Sequence, residues 1–266
     1  MTSSSQAIDS FSCAVEKASK LHRFGDLRLF GQEIQGLNFE TEASRILIKS
    51  LTTLNHSKAA SAPHTHVFLF TGHMIDAPKR PKPRFPAKKE PAAASAIQRA
   101  LKSEIARVRS LNDADCSILG ITSGACGGDI LFHEACEANN VSCHMYLPFP
   151  KAIFLKTSVQ FAGTDWVNRF EQIYNQLLPH ERPVLNDKKE LPSWLKGKKD
   201  YSIWVRNNLW MLHNALIYGG HNVSLFALWN GEGGDGVGGT QDMVTKASEQ
   251  GAQVIIIDTK KEFDLT

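Results

Sequence analysis

Three segments carry residue types and spacings suited to anion chemistry. The first is Ser123-Gly124-Ala125-Cys126-Gly127-Gly128-Asp129. Glycines there permit a tight turn and let a ligand approach the backbone. A helix starting after them has unpaired N–H groups and partial positive charge at its first turn. Phosphate or carboxylate then binds without a basic side chain. Ser123, Gly124, Gly127 and Gly128 are therefore expected at a phosphate. Asp129 suits two roles, capping the helix or holding a ribose hydroxyl. The spacing is neither G-x-G-x-x-G nor a Walker motif.

The second segment runs from Gly231 to Thr240, with six glycines in ten positions. Gly238 and Gly239 leave N–H groups open to an anion, and Thr240 suits a helix cap. A mobile loop accounts for the glycine content equally well. The nearby acids Glu232 and Asp242 are either solvated or, by the logic of glycoside hydrolysis, stabilisers of an oxocarbenium-like centre. The third segment is Thr71-Gly72-His73-Met74-Ile75-Asp76, followed by Arg80 and Arg84. Arginine grips phosphate through two parallel hydrogen bonds. His73 can act as acid, base or simple donor. A solvent-facing basic loop is the plain alternative. Gly72, Arg80 and Arg84 join the expected ligand contacts. If the site is catalytic, His73, Asp242 and Glu232 are its expected working groups.

These segments need a scaffold that brings them to one place. Short apolar runs at 67–70, 116–121, 141–147, 223–229 and 253–258 read as strands. Helical patterns fall at 91–111, 128–139, 166–177, 201–218 and in the stretch 238–250. Strand and helix alternate, so the expected fold is α/β and Rossmann-like, with a mostly parallel sheet and helices on both faces. The strands are continuously apolar, as strands buried on both faces must be. Ligands of such sheets bind beyond the carboxyl ends of the strands, and each of the three segments leaves a strand at that edge. Residues 148–161 and 185–200 read as loops, the latter with Lys196, Lys198 and Lys199 as a solvated cluster or a phosphate site. Helical stretches at 9–22 and 40–54 and a linker at 56–66 give an N-terminal helical extension, 1–60, ahead of the main domain, 61–266.

Several residues read as structural. Trp166, Phe170, Trp204, Trp210 and Trp229 are expected to pack helices and strands. Cys116 and Cys143 are expected as core thiols. Arg169 faces the site or a surface ion pair. The chain lacks a G-x-S-x-G elbow, so a triad hydrolase is disfavoured.

Composition narrows the class further. The chain has 266 residues, 42% hydrophobic and 21% charged, which is ordinary globular usage. Thirty basic against 27 acidic side chains give a formal charge of +3. That balance disfavours a duplex nucleic-acid binder, which needs a concentrated basic face. Five cysteines without a CxxC pair read as reduced thiols. Cys126, Cys136 and His133 lack the paired spacing of a zinc site, so no metal is expected. The N-terminal sequence lacks a signal-peptide pattern and no run is long enough to span a membrane, so a cytoplasmic chain with no membrane partner is expected.

The segment Ser123-Gly-Ala-Cys-Gly-Gly-Asp-Ile-Leu-Phe-His-Glu-Ala135 with the strand after it resembles the SLOG superfamily. That superfamily includes the DNA-processing protein A and Lonely Guy proteins. The run Asp235-Gly-Val-Gly-Gly-Thr240 resembles the Lonely Guy signature PGG-x-GT-x-x-E, with Asp235 at its proline, Val237 at its second glycine and Met243 at its final acid. The resemblance covers about residues 66–258. It implies a Rossmann-like domain that binds a nucleotide or nucleotide-derived ligand, in a sensory role and without a further cofactor. Its alternatives are a nucleoside monophosphate N-glycosidase and a single-stranded DNA binder. Relatives often pair, so it also implies a homodimer as the default.

Overall fold

The computed structural model describes residues 4–21, 23–34, 46–47, 65–111, 116–232 and 239–264. Within them five parallel strands form one sheet in the order β3-β2-β1-β4-β5. The strands are β1 (Thr65–Gly72), β2 (Ser117–Thr122), β3 (Ser142–Met145), β4 (Val223–Trp229) and β5 (Gln253–Asp258). β1 lies at the centre, with Leu69 level with Ile121 of β2 and with Leu225 of β4. The chain winds from β1 outward to β3, then returns to β4 on the other side of β1. The strand order therefore reverses between β1 and β4, and a crevice opens there at the carboxyl ends.

Side chains alternate across the sheet and feed two apolar layers. Phe68, Phe70, Phe226 and Leu228 meet helices α3 (Glu90–Leu111) and α4 (Gly128–Glu137) on one face. Val67, Leu69, Val223 and Leu225 meet the other face. That face is covered by α1 (Ser4–Lys20), α2 (Phe24–Glu33), α7 (Ile203–Leu216) and α8 (Thr240–Glu249). Helices on both sides explain why the strands read as continuous apolar runs. α3 presents Ile97, Leu101, Ile105 and Val108 at helical spacing, with Pro91 in the first turn where its missing N–H costs nothing. α1 buries Phe11, Val15 and Ala18 along one stripe. α1 and α2 share a core with the sheet, so the N-terminal helices pack as part of the main domain. Most of the expected helix at 40–54, and nearly all of the 56–66 linker, lie outside the described residues.

The region 148–161, expected as a loop, instead contains α5 (Lys151–Ser158) and a short 3-10 turn, Gln160–Ala162. Pro150 occupies the N-cap position, and Phe154 and Leu155 are buried, so packing selects a helix here. α6 (Thr164–Gln176) follows, and α9 (Thr259–Phe263) closes the described chain. The free edge of β3 is covered by residues 181–185: Met145 N–H donates to Glu181 O at 2.8 Å, and Leu185 N–H to Leu147 O at 2.9 Å. No described helix is long and apolar enough to cross a membrane.

Candidate functional site at the strand switch point

The segment leaving β1 crosses the turn before α4 in direct backbone contact. His73 N–H donates to Leu228 O at 3.0 Å, which extends the β1–β4 pairing one residue past the strand. Gly128 N–H donates to His73 O at 3.2 Å, Ile75 N–H to Cys126 O at 3.0 Å, and Cys126 N–H to Ser158 O at 2.9 Å. Three segments are thus stitched together at the carboxyl edge of the sheet. The crossing explains the glycine pair. A Cβ on Gly127 would sit 2.7 Å from Ile75 N, and one on Gly128 would sit 2.9 Å from the Phe70 ring. The expected role of Gly127 and Gly128 as a phosphate cradle is revised accordingly, because the Gly128 N–H already has a partner. Gly124 is closed in by Phe170 and Met145.

Asp129 caps no helix end; Gly127 takes the N-cap position without a side-chain bond. The Asp129 carboxylate reaches back instead. It accepts from Ala125 N–H at 3.1 Å and from the Thr122 hydroxyl at 3.2 Å. Burial raises its pKa to about 7, against the opposing pull of those two donors. His133 supports the same turn from below, its Nε2 lying 3.2 Å from Ser123 O. Burial lowers that ring to about 4, so it stays neutral at neutral pH.

Above this edge lies a cavity of about 380 Å³, in the range of small-molecule sites. It brings together Gly72, His73, Arg84, Ser123, Asp129, Gly239 and Thr240 from the expected set. Arg84 is placed by the base of its loop. Asp76 Oδ2 accepts from Arg84 N–H at 2.9 Å and Phe85 N–H at 3.0 Å, and Asp76 N–H donates to Phe85 O at 2.9 Å. The loop is therefore held by backbone bonds, and the Arg84 side chain reaches the cavity. Arg80 does not line it; its Nε donates to Lys82 O at 3.1 Å and lies 3.5 Å from Asp76. Thr240 is the first helical residue of α8, with Gly239 in the N-cap position, so the expected Thr240 cap is absent. Gly238 lies outside the described residues.

His73 is buried, and burial with the nearby Arg84 charge lowers its ring to about 4. Its Nε2 lies 3.3 Å from both the backbone N and the Oδ1 of Asn230, so either tautomer finds a partner there. His73 is thus neutral at neutral pH. The other two expected catalytic groups do not line the cavity, although Glu232 borders it: its backbone O accepts from the cavity-lining Trp229 Nε1 at 2.8 Å and its Oε2 from Asn230 Nδ2 at 3.4 Å. Asp242 pairs with Lys246 at 2.6 Å, one helical turn away on α8. Glu232 is half exposed and pairs with Lys260 at 2.7 Å; the ammonium holds its carboxyl below the usual range. The lysine cluster is likewise engaged in part, since Lys198 Nζ donates to Glu33 O at 3.1 Å. Arg169 closes a surface ion pair with Glu134 and Glu90, each at 2.6 Å.

The cavity also takes residues that sequence alone assigned to packing. Trp204 and Trp229 line it. Trp204 is 41% exposed and is held edge-on by Phe149, with ring centres 5.4 Å apart. Thr157 and Ser158 come from the unexpected α5, and Ser202, Asn207 and Met211 from the N-cap and the first nine residues of α7. Ser202 caps α7 by accepting from Val205 N–H at 3.2 Å. The one sequence signal for this wall was the pair of tryptophans near the ends of two apolar elements. The chain matches no protein-family model and no curated protein in sequence comparison.

Proposed function

We propose that the chain binds a nucleotide or a nucleotide-derived phosphate compound in this cavity, in a sensory role. The observation that carries the reading is the position of Arg84 and two indole rings around one cavity at the strand switch point. Arg84 supplies a cation for phosphate. Trp204 and Trp229 supply apolar surface for a ring. Hydroxyls of Ser123, Thr157, Ser202 and Thr240 suit a sugar. The resemblance of the glycine-rich turn to the SLOG superfamily supports the same class of ligand. The hydrolytic alternative is less favoured because Asp242 and Glu232 each pair with a lysine and neither lines the cavity. The DNA-binding alternative rests on the lysine cluster and the Arg80 loop, of which Lys198 and Arg80 already bond to backbone carbonyls of the chain.

A thermal-shift panel of nucleoside mono-, di- and triphosphates, with chromatography of every hit, tests the reading. A ligand at about 100 times its Kd adds roughly 2.7 kcal/mol, enough to raise Tm by several degrees. Stabilisation by an intact nucleotide is the expected result. No shift at millimolar concentration defeats the reading, and release of free base replaces it with hydrolysis.

Asp129 gives a pH dependence with a definite sign. Its carboxyl titrates near pH 7 and lines the cavity. Below that pH it is neutral; above it, a second negative charge stands beside a bound anion. Affinity for a phosphodiester, whose own charge is fixed in this range, should fall about fivefold or more between pH 6 and pH 8. Titration calorimetry across that range checks it. Asp129→Asn should flatten the profile, and a flat profile in the unaltered protein counts against the assignment.

A further inference from the structure

The charges around the cavity are few. Among the described residues that line it, Arg84 and Asp129 alone carry a guanidinium, ammonium or carboxyl group. His73 lines it too, but burial and the Arg84 guanidinium keep its ring neutral at neutral pH. Other polar groups of the wall, such as Ser123, Thr157, Ser202 and Asn208, are uncharged. Ion pairs near the border cancel: Glu232 with Lys260 at 2.7 Å, and Asp76 with Arg80 at 3.5 Å. Lys79 and Lys82 of the same loop are exposed, where water and salt screen them. Asp129 is 9% exposed, and no cation among the described residues pairs with it. Its donors, Ala125 N–H and the Thr122 hydroxyl, are neutral. The titratable groups beside it are the Cys126 and Cys143 thiols. Burial pushes both up, Cys126 to about 12, so they stay protonated and uncharged.

Resting on the phosphate-ligand reading above, we propose that the cavity selects phosphodiesters, which carry one negative charge, over terminal phosphates, which carry two or more. One guanidinium balances one charge. A phosphodiester keeps a single charge through the neutral range, because it has no second proton to lose. A terminal phosphate loses its second proton at about pH 6. Its extra charge then meets no further cation in the described wall and faces the Asp129 carboxylate instead. Like charges in a partly desolvated site repel far more strongly than in water. Di- and triphosphates enlarge the mismatch. The class that fits is a nucleotide whose phosphate bridges two oxygens, either closed on its own sugar or linked to a second group.

The test uses the full chain and titration calorimetry. Adenosine, guanosine, cytidine and uridine 5′-monophosphates are each compared with the methyl ester on their phosphate, which keeps the nucleoside and removes one charge. At pH 8 the ester of the best-bound nucleoside should bind about tenfold or more tightly than its monophosphate. At pH 5 the monophosphate has regained its proton and Asp129 is neutral, so the two should agree within about twofold. In Asp129→Asn the pH 8 ratio should fall about threefold or more. If that variant shows no thermal transition, the comparison of the two pH values decides alone. Equal or tighter binding of the monophosphate at pH 8 overturns the proposal. So does an ester preference that persists at pH 5, which is then an apolar gain from the methyl group, and so does a ratio that Asp129→Asn leaves unchanged. If neither form of any nucleotide binds, the phosphate-ligand reading itself fails and takes the proposal with it. Binding without preference for the ester defeats only the selection by charge.

Discussion

Gly127→Ala is expected to destabilise the fold by about 3 kcal/mol or more. Gly127 has φ of 105° and ψ of −125°, a region that residues with a Cβ scarcely enter. The added methyl would also lie 2.7 Å from Ile75 N, a backbone atom that is itself bonded to Cys126 O. Neither atom can move without parting the segments that form the floor of the cavity. Gly163→Ala is the matched comparison. Gly163 has φ of 110°, yet nothing lies within 4 Å of its would-be Cβ. It should cost only the backbone strain, about 1 kcal/mol. Urea denaturation of both variants separates strain from crossing. Equal losses would show that the close approach at Gly127 contributes nothing.

The second large effect lies at the joint between the N-terminal helices and the cavity wall. Glu33 at the end of α2 is fully buried, and Arg206 of α7 is 2% exposed. Arg206 Nε donates to Glu33 Oε1 at 2.6 Å. Trp194 Nε1 and the Tyr201 hydroxyl donate to the same carboxylate, each at 3.1 Å, and Arg206 also donates to Asn186. A pair this buried contributes little net stability over an apolar replacement, but removing one partner strands the other charge. Arg206→Met should cost about 3–5 kcal/mol. Glu33→Gln keeps its shape and should cost less. The double variant should cost clearly less than the sum, and a double-mutant cycle by denaturation reads the difference. Arg206 lies between Val205 and Asn207, both in the cavity wall. Arg206→Met should therefore also weaken ligand binding, which Glu33→Gln disturbs less.

The strands were legible because parallel strands buried on both faces leave continuous apolar runs. β4 and β5 match their sequence reading at both ends. The helix α2 was not legible. Gly25 and Gly31 lower its propensity, and only the tertiary structure shows that a side chain at 25 would strike Asn214 of α7. α5 was not legible either: Pro148 and Pro150 stand just before it, and its helix is selected by burial of Phe154 and Leu155. The glycine-rich turns marked the correct edge of the sheet, but not the purpose of each glycine. Free N–H groups and close chain crossing demand the same residue, and sequence does not distinguish them. The Glu33–Arg206 pair spans 173 positions, and no local pattern connects its members. Trp204 resembled an ordinary core position on an apolar helix until the helix was placed against the cavity.

Titration calorimetry of nucleoside monophosphates with the unaltered chain and with Arg84→Ala tests the central claim most directly. The Arg84 loop is held through its backbone N–H to Asp76, so the variant should keep its Tm. Binding heat with the unaltered protein, and affinity lowered about 10- to 100-fold in Arg84→Ala, is the expected result. No heat at millimolar nucleotide, or the same affinity in both proteins, would contradict a phosphate-binding cavity at the strand switch point.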